Sequence, residues 1–318
     1  MGSVDKELST AASKGEQTDK MPDCKELLEL ATPRLYHRNL FRVLGLPVNA
    51  SPKDVQRQQS RRRMQEKLGI TSSSTPCGPL ALNPPPTDED VRAAMERLNR
   101  PVDRLLDEVF WFWPVNGNHT TDPSLEAITE GNVERATDFW AKRAGQHAEG
   151  QIAAHNLAVY YHLAALDYEA RLTASDLTER EPKRLMGLWR RPLAHWKDRK
   201  EKRNEQEHLA ELWHRGFAHW KEVLEGEEFW SVVKGRVREL NDVQLTTGFV
   251  RRVRGTLPTA LLLICAKMAY EAAERSDVAS AQRHIKLLRD AGFSDGLAEE
   301  AIREALKPVR TRIKTAID

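Results

Sequence analysis

Leu40-Phe41-Arg42-Val43-Leu44-Gly45-Leu46-Pro47-Val48-Asn49-Ala50-Ser51-Pro52 opens the stretch, residues 39–114, around which the chain is organised. Its apolar turn runs to a glycine, the residue that most often closes a helix. Ser51-Pro52 then offers an N-cap followed by proline at the first helical position. Asp54 stands three residues after Ser51, the place of a capping-box acid, although Glu or Gln is preferred there. The pattern predicts a helix over residues 53–68. Its body is basic: Lys53, Arg57, Arg61, Arg62, Arg63 and Lys67 against Asp54 and Glu66, a net of +4. Apolar positions are few, only Val55, Met64 and Leu68, so one side can pack and the remainder must face water or a partner.

Downstream, residues 69–86 are rich in Ser, Thr and Pro and include Pro76, Pro79, Pro84, Pro85 and Pro86. This reads as an irregular or polyproline-like surface loop. Thr87-Asp88-Glu89-Asp90 caps a further helix, with acids at its positive dipole end. Val91, Ala94, Met95 and Leu98 follow at i, i+3, i+4, i+7, an amphipathic stripe that Pro101 interrupts. Leu105, Leu106, Val109 and Phe110 continue it into Trp111-Phe112-Trp113-Pro114. That aromatic cluster reads first as a packed seam against the next segment, since aromatic side chains dominate core burial. The alternative is an exposed peptide-binding patch.

Taken together, residues 39–114 resemble the J domain of DnaJ-type co-chaperones. The Phe41-Arg42-Val43-Leu44-Gly45 run looks like that fold's first helix and its exit, and Arg92 to Arg104 looks like its third helix. The His-Pro-Asp tripeptide with which J domains trigger Hsp70 ATP hydrolysis is absent, and the Ser/Thr/Pro insert stands in its place. The run ending Phe110-Trp111-Phe112-Trp113 is similar to a group of bacterial proteins that join a degenerate J-like module to a TPR-like helical region. The resemblance implies a non-enzymatic adaptor that positions a protein partner of the Hsp70-like ATPase class without triggering it. In J domains the corresponding basic helix contacts Hsp70, which marks Arg57, Arg61, Arg62, Arg63 and Lys67 as candidate protein-binding residues. A structural subunit of a multi-protein bacterial complex is the next reading. A nucleic-acid-binding adaptor ranks lowest, because no aromatic residue interleaves with the arginines. A plain solvated face competes with all three.

The rest of the 318-residue chain fits this frame. With 40% hydrophobic and 30% charged residues it reads as a soluble globular protein long enough for two domains. A net charge of +2 leaves any polyanion-binding claim to local patches. Cys24, Cys77 and Cys265 are widely spaced, so neither a disulfide framework nor a zinc site is expected, and a reducing cytoplasm is the simplest setting. Residues 1–33 read as a disordered tail, with a short helix possible at 24–30. No secretory apolar segment opens the chain, and its longest purely apolar run, residues 260–266, is far short of the ~20 residues of a membrane span. The sequons Asn49-Ala50-Ser51 and Asn118-His119-Thr120 are chance matches on this reading.

Residues 122–318 read as a helical, repeat-like domain. Residues 125–140 have the small-residue and aromatic rhythm of a TPR helix pair, turning at Gly131-Asn132, and a helix carrying Ala154, Leu157, Tyr161 and Leu166 follows. Leu188-Trp189-Arg190-Arg191-Pro192-Leu193-Ala194-His195-Trp196-Lys197-Asp198 recurs 24 residues later as Leu212-Trp213-His214-Arg215-Gly216-Phe217-Ala218-His219-Trp220-Lys221-Glu222. The two tryptophans of each copy are seven apart and share a helix face. These are two helices or the two ends of one antiparallel arm. Further helices are expected at 259–274, after Pro258, at 278–290 and at 297–317, and the fold class is all-α.

For chemistry, no phosphate loop, GxSxG elbow or HExxH helix occurs, and no cofactor is expected. His155 and His162 could share a helix face, but a metal would need further ligands. His195 and His219 of the tryptophan repeat read as packing residues. The acids read as parts of solvated helical charge faces, with no pair set apart for acid–base work.

Overall fold

The computed structural model describes residues 23–67, 80–117, 121–145, 147–179 and 194–317. Among the described residues every regular element is a helix, so the fold is all-α. The N-terminal part holds α1 (Lys25–Leu30), α2 (Leu35–Arg38), α3 (Leu40–Leu44), α4 (Pro52–Lys67), α5 (Asp88–Leu98) and α6 (Pro101–Val109). Then come α7 (Pro123–Thr129), α8 (Val133–Ala141) and two long helices, α9 (His147–Glu179) and α10 (Ala194–Glu225). The chain finishes with α11 (Glu228–Leu240), α12 (Thr247–Glu274), α13 (Val278–Asp290), α14 (Asp295–Ala305) and α15 (Lys307–Ile317).

The local signals act as their chemistry dictates. Asn39 caps α3 by accepting from the amides of Phe41 and Arg42, and Gly45 closes it in the left-handed region at φ 65°. Before α4, the Asp54 side chain accepts from the Ser51 amide while Ser51 Oγ accepts from the Asp54 amide, an Asp version of the capping box. Thr87 and Asp90 repeat the device at α5. Pro101 occupies the first turn of α6, where its missing N–H costs nothing.

Several expectations need correction. The disordered tail does not reach residue 33: Leu27 of α1 is fully buried, the Cys24 amide donates to Thr256 Oγ1 at 2.9 Å, and Lys267 Nζ donates to Ala31 O at 2.6 Å. The apolar Leu27, Leu28 and Leu30 give this short helix a face to bury against α12. Residues 1–22 lie outside the described residues. Pro258 does not begin a helix but sits inside α12, which Thr246 caps twelve residues earlier. Conversely, the helix expected over 297–317 is two, broken at Leu306, because Pro308 lacks the N–H that would bond back to Glu304 O.

The two long helices α9 and α10 pack antiparallel, with Trp213 against Glu169 at one level and His219 against Tyr161 at another. Trp213 and Trp220 both point into this seam and are buried. The second tryptophan copy therefore packs as expected. Trp189 lies outside the described residues, as does the side chain of Trp196. Helices α7 and α8 form a hairpin turning at Gly131, and α8 leans on α9.

The two domains expected, 34–114 and 122–318, meet in one continuous core that runs from Cys24 to Ala305. Trp111, Phe112 and Trp113 are buried at the junction, so the packed-seam reading holds. Phe112 stacks on Trp140 at 5.5 Å, and Asn156 of α9 exchanges two hydrogen bonds with the Trp113 backbone, 2.9 and 2.7 Å. Of the loop over 69–86, residues 69–79 lie outside the described residues. Its described end packs inward through Leu80 and Leu82, and Leu80 O accepts from Arg42 Nε at 2.7 Å.

Candidate functional site

Helix α4 is held at its start and over its first two turns. Three hydrogen bonds from two arginines hold the approach. Arg104 Nη2 donates to Val48 O and Ala50 O, both at 3.3 Å, and Arg236 Nη2 reaches Val48 O at 3.4 Å. Those two guanidiniums clamp Glu108, which is 0% exposed: Arg104 Nε at 2.9 Å from one carboxylate oxygen, Arg236 Nε at 2.8 Å from the other. Along α4 itself, Gln58 Nε2 donates to Leu44 O at 3.0 Å, and Val55 packs partly against the core. The hydrogen bonds from Ser51 hold the Asp54 carboxyl below its ordinary range.

Gln59 Nε2 adds a long bond of 3.8 Å to Met95 Sδ of α5, and past Gln59 the described side chains of α4 face solvent, as does Arg57 before it. The Arg57 side chain is 72% exposed, and its nearest carboxylate, Asp54, stands 3.9 Å away. Arg61 and Lys67 are exposed, and among the described residues no carboxylate pairs with either. The side chains of Arg62 and Arg63 lie outside the described residues. Met64 is 64% exposed rather than packed, so the expected apolar side of α4 is reduced to Val55, with Leu68 outside the described residues. Arg57, Arg61 and Lys67 are thus exposed together on α4, and among the described residues Asp54 is the one carboxylate that pairs with any of them.

Other candidate residues go to the interior. His155 and His162 lie on one face of α9, as their spacing predicts, and both are buried. His155 Nε2 donates to Val109 O at 2.7 Å, and its ring stacks on Phe229 at 4.1 Å. His162 Nδ1 is 3.1 Å from the Tyr36 hydroxyl. Burial pushes His155 down to about 4 and His162 down to about 3, so both are neutral over the ordinary pH range. Among the described residues no group of three or more His, Cys, Asp or Glu is placed to hold a metal ion. His219 is half-buried, 3.2 Å from Glu222 and stacked on Tyr161, while the His195 side chain lies outside the described residues. Cys24 and Cys265 are free and buried, and burial raises both thiols, Cys24 to about 11. Cys77 lies outside the described residues.

Four acids are buried rather than on solvated charge faces, contrary to expectation, and one of them, Asp122, caps α7. Besides Glu108, Asp107 is fully buried beside Arg97, and burial lifts its carboxyl to about 7 against the pull of that guanidinium. Glu169 is nearly buried in α9. Burial alone would raise it, but hydrogen bonds from His284 and Arg283 outweigh that and hold it down to about 2. A fourth pair, Arg42 with Asp167, joins α3 to α9 through two bonds of 3.0 and 2.6 Å. Only Arg104 and Glu108, four apart on one helix, carry a sequence signal. Arg97 and Asp107 are ten apart on successive helices, the remaining partners are more than a hundred residues distant, and nothing in the local pattern announces either kind.

Among the described residues no helix is long and apolar enough to cross a membrane. No protein-family model, curated protein or solved structure matches this chain.

Proposed function

We propose that this chain is a non-enzymatic interaction protein that docks an acidic protein surface on the exposed basic face of α4. The observation that carries this reading is the exposure of that face: Arg57, Arg61 and Lys67 project from a helix anchored at its start, and among the described residues only Asp54, 3.9 Å from Arg57, pairs with any of them. Exposed cations of this kind steer association and set its salt dependence more than they set its final affinity. The J-like resemblance makes an Hsp70-like ATPase the partner class to test first. Lacking His-Pro-Asp, the protein should bind such an ATPase without accelerating its turnover.

The test is a charge reversal of all three residues, Arg57→Glu, Arg61→Glu and Lys67→Glu, read by binding to a purified Hsp70-type ATPase at low and high salt. Wild type should bind, weaken as salt rises, and leave steady-state ATP hydrolysis unchanged. The variant should keep its melting temperature and lose the partner. Retained binding in the variant would remove α4 from the interface. Tight, salt-steep binding of wild type to DNA or RNA, lost in the variant, would favour the nucleic-acid reading instead.

One observation supports a second reading. The J-like segment shares its core with α9, α11 and α12 rather than standing apart, which is how a fold used purely as scaffold would be built. A scaffold subunit would ignore the ATPase and co-purify with a fixed set of other proteins.

A further inference from the structure

A second feature lies far from α4, in the groove between α10 and α13. Helix α10 lays Leu209, Trp213, Phe217 and Lys221 along one wall, four residues apart each time, and α13 supplies Lys286 and Leu287 opposite. The groove holds about 390 Å³, within the range of ligand pockets. Its α10 wall is ~18 Å long at 1.5 Å per residue, enough for one extended chain of about a dozen carbons.

Its charges are asymmetric. Arg283 is committed to Glu169 through bonds of 2.5 and 2.9 Å. Lys221 is half-buried, with its ammonium over the Phe293 ring at 5.9 Å, and among the described residues it has no carboxylate partner. Lys286 is exposed and likewise unpaired there. Asp290, exposed at the α13 end, is the one acid on the walls. Two uncommitted cations face one acid over an apolar floor. A partly desolvated ammonium is costly without a counter-charge, and an anionic head group supplies one. We infer that this groove binds an amphipathic carboxylate of the fatty-acid type, its chain along Leu209, Trp213 and Phe217 and its head at Lys221 and Lys286.

Dodecanoate is the probe, titrated calorimetrically into the full-length protein, with dodecanol as the neutral control of equal length. The expected result is saturable binding at one site per chain. Dodecanol should bind at least tenfold more weakly, and the double variant Lys221→Met, Lys286→Met should lose at least tenfold in affinity at an unchanged melting temperature. Leu287→Trp, which fills the groove without touching its charge, should abolish binding. No saturable binding of dodecanoate, equal binding of dodecanol, or full affinity in both variants would overturn the assignment. None of these outcomes depends on α4.

Discussion

At the scale of single residues, Glu108 has the most to lose. Its carboxylate is removed from water and held by Arg104 and Arg236, and Arg236 belongs to a helix 128 residues further along the chain. The pair is not evidence of great net stability, because burying three charges is itself costly. Breaking it is another matter, since two nearly buried guanidiniums would be left facing each other. Glu108→Ala should lower the free energy of unfolding by ~3–5 kcal/mol, measured by urea titration. Arg57→Ala, at an exposed site with one distant partner, should stay within ~0.5 kcal/mol. Similar losses for the two variants would mean that Glu108 is not the clamp described here. Trp140 is the apolar counterpart: its ring stacks on Phe112 and its Nε1 donates to Ser124 Oγ at 2.8 Å, so Trp140→Ala should cost ~3–5 kcal/mol.

At the scale of elements, starts and stops were readable wherever the chemistry is local. Gly45, Ser51-Pro52, Thr87 with Asp90, and Pro101 each act on residues within one turn, and each boundary falls where they place it. The reading failed where a distant surface decides. Pro258 would end an isolated helix, yet α12 runs through it because both sides are packed into the core against α1, α11, α13 and α14. The exposure of α4 was legible from its lack of apolar residues, whereas the buried acids were not, since Asp107 and Glu169 look like any others on a charged helix. Two glycines permit a test with opposite signs. Gly131 turns α7 into α8 at φ +79°, where a side chain is strained even though the space is open, so Gly131→Ala should destabilise by ~1–2 kcal/mol. Gly235 sits inside α11 with ordinary dihedrals and open space, and Gly235→Ala should stabilise by ~0.5–1 kcal/mol. Thermal melts of the two variants should shift in opposite directions.

At the scale of the whole molecule, one core implies one unfolding transition, and its pH dependence follows from the groups that core has perturbed. His155 and His162 are depressed from 6.5 to about 4 and about 3. Between those values and 6.5 the unfolded chain binds more protons than the native one, so both histidines withdraw stability as pH falls. Asp107 works the other way. Its native carboxyl, raised to about 7 from 3.8, binds a proton that the unfolded chain releases, so it withdraws stability as pH rises through that range. Two opposing one leaves a net uptake of about one proton on unfolding from these three groups, a slope of ~1.4 kcal/mol per pH unit between about pH 4 and 6, and His37, also lowered by burial, adds to the same side. Stability should therefore fall on acidification, and Asp107→Asn, which deletes the compensating group, should roughly double the slope. Below about pH 4.5 Glu169 adds its own loss, because a carboxyl held down to about 2 gives up its contribution as pH drops toward that value. Urea titrations at stepped pH measure all of this. A flat profile between pH 4 and 6, or an Asp107→Asn profile no steeper than wild type, would show that these buried groups do not titrate as their surroundings require. Because Tyr36 of α2 contacts His162 and Val109 of α6 accepts from His155, the N-terminal segment and the long helices should lose structure together at every pH. Far-UV circular dichroism and tryptophan fluorescence should then trace coincident curves, and a first transition confined to one probe would mean that the N-terminal segment unfolds on its own.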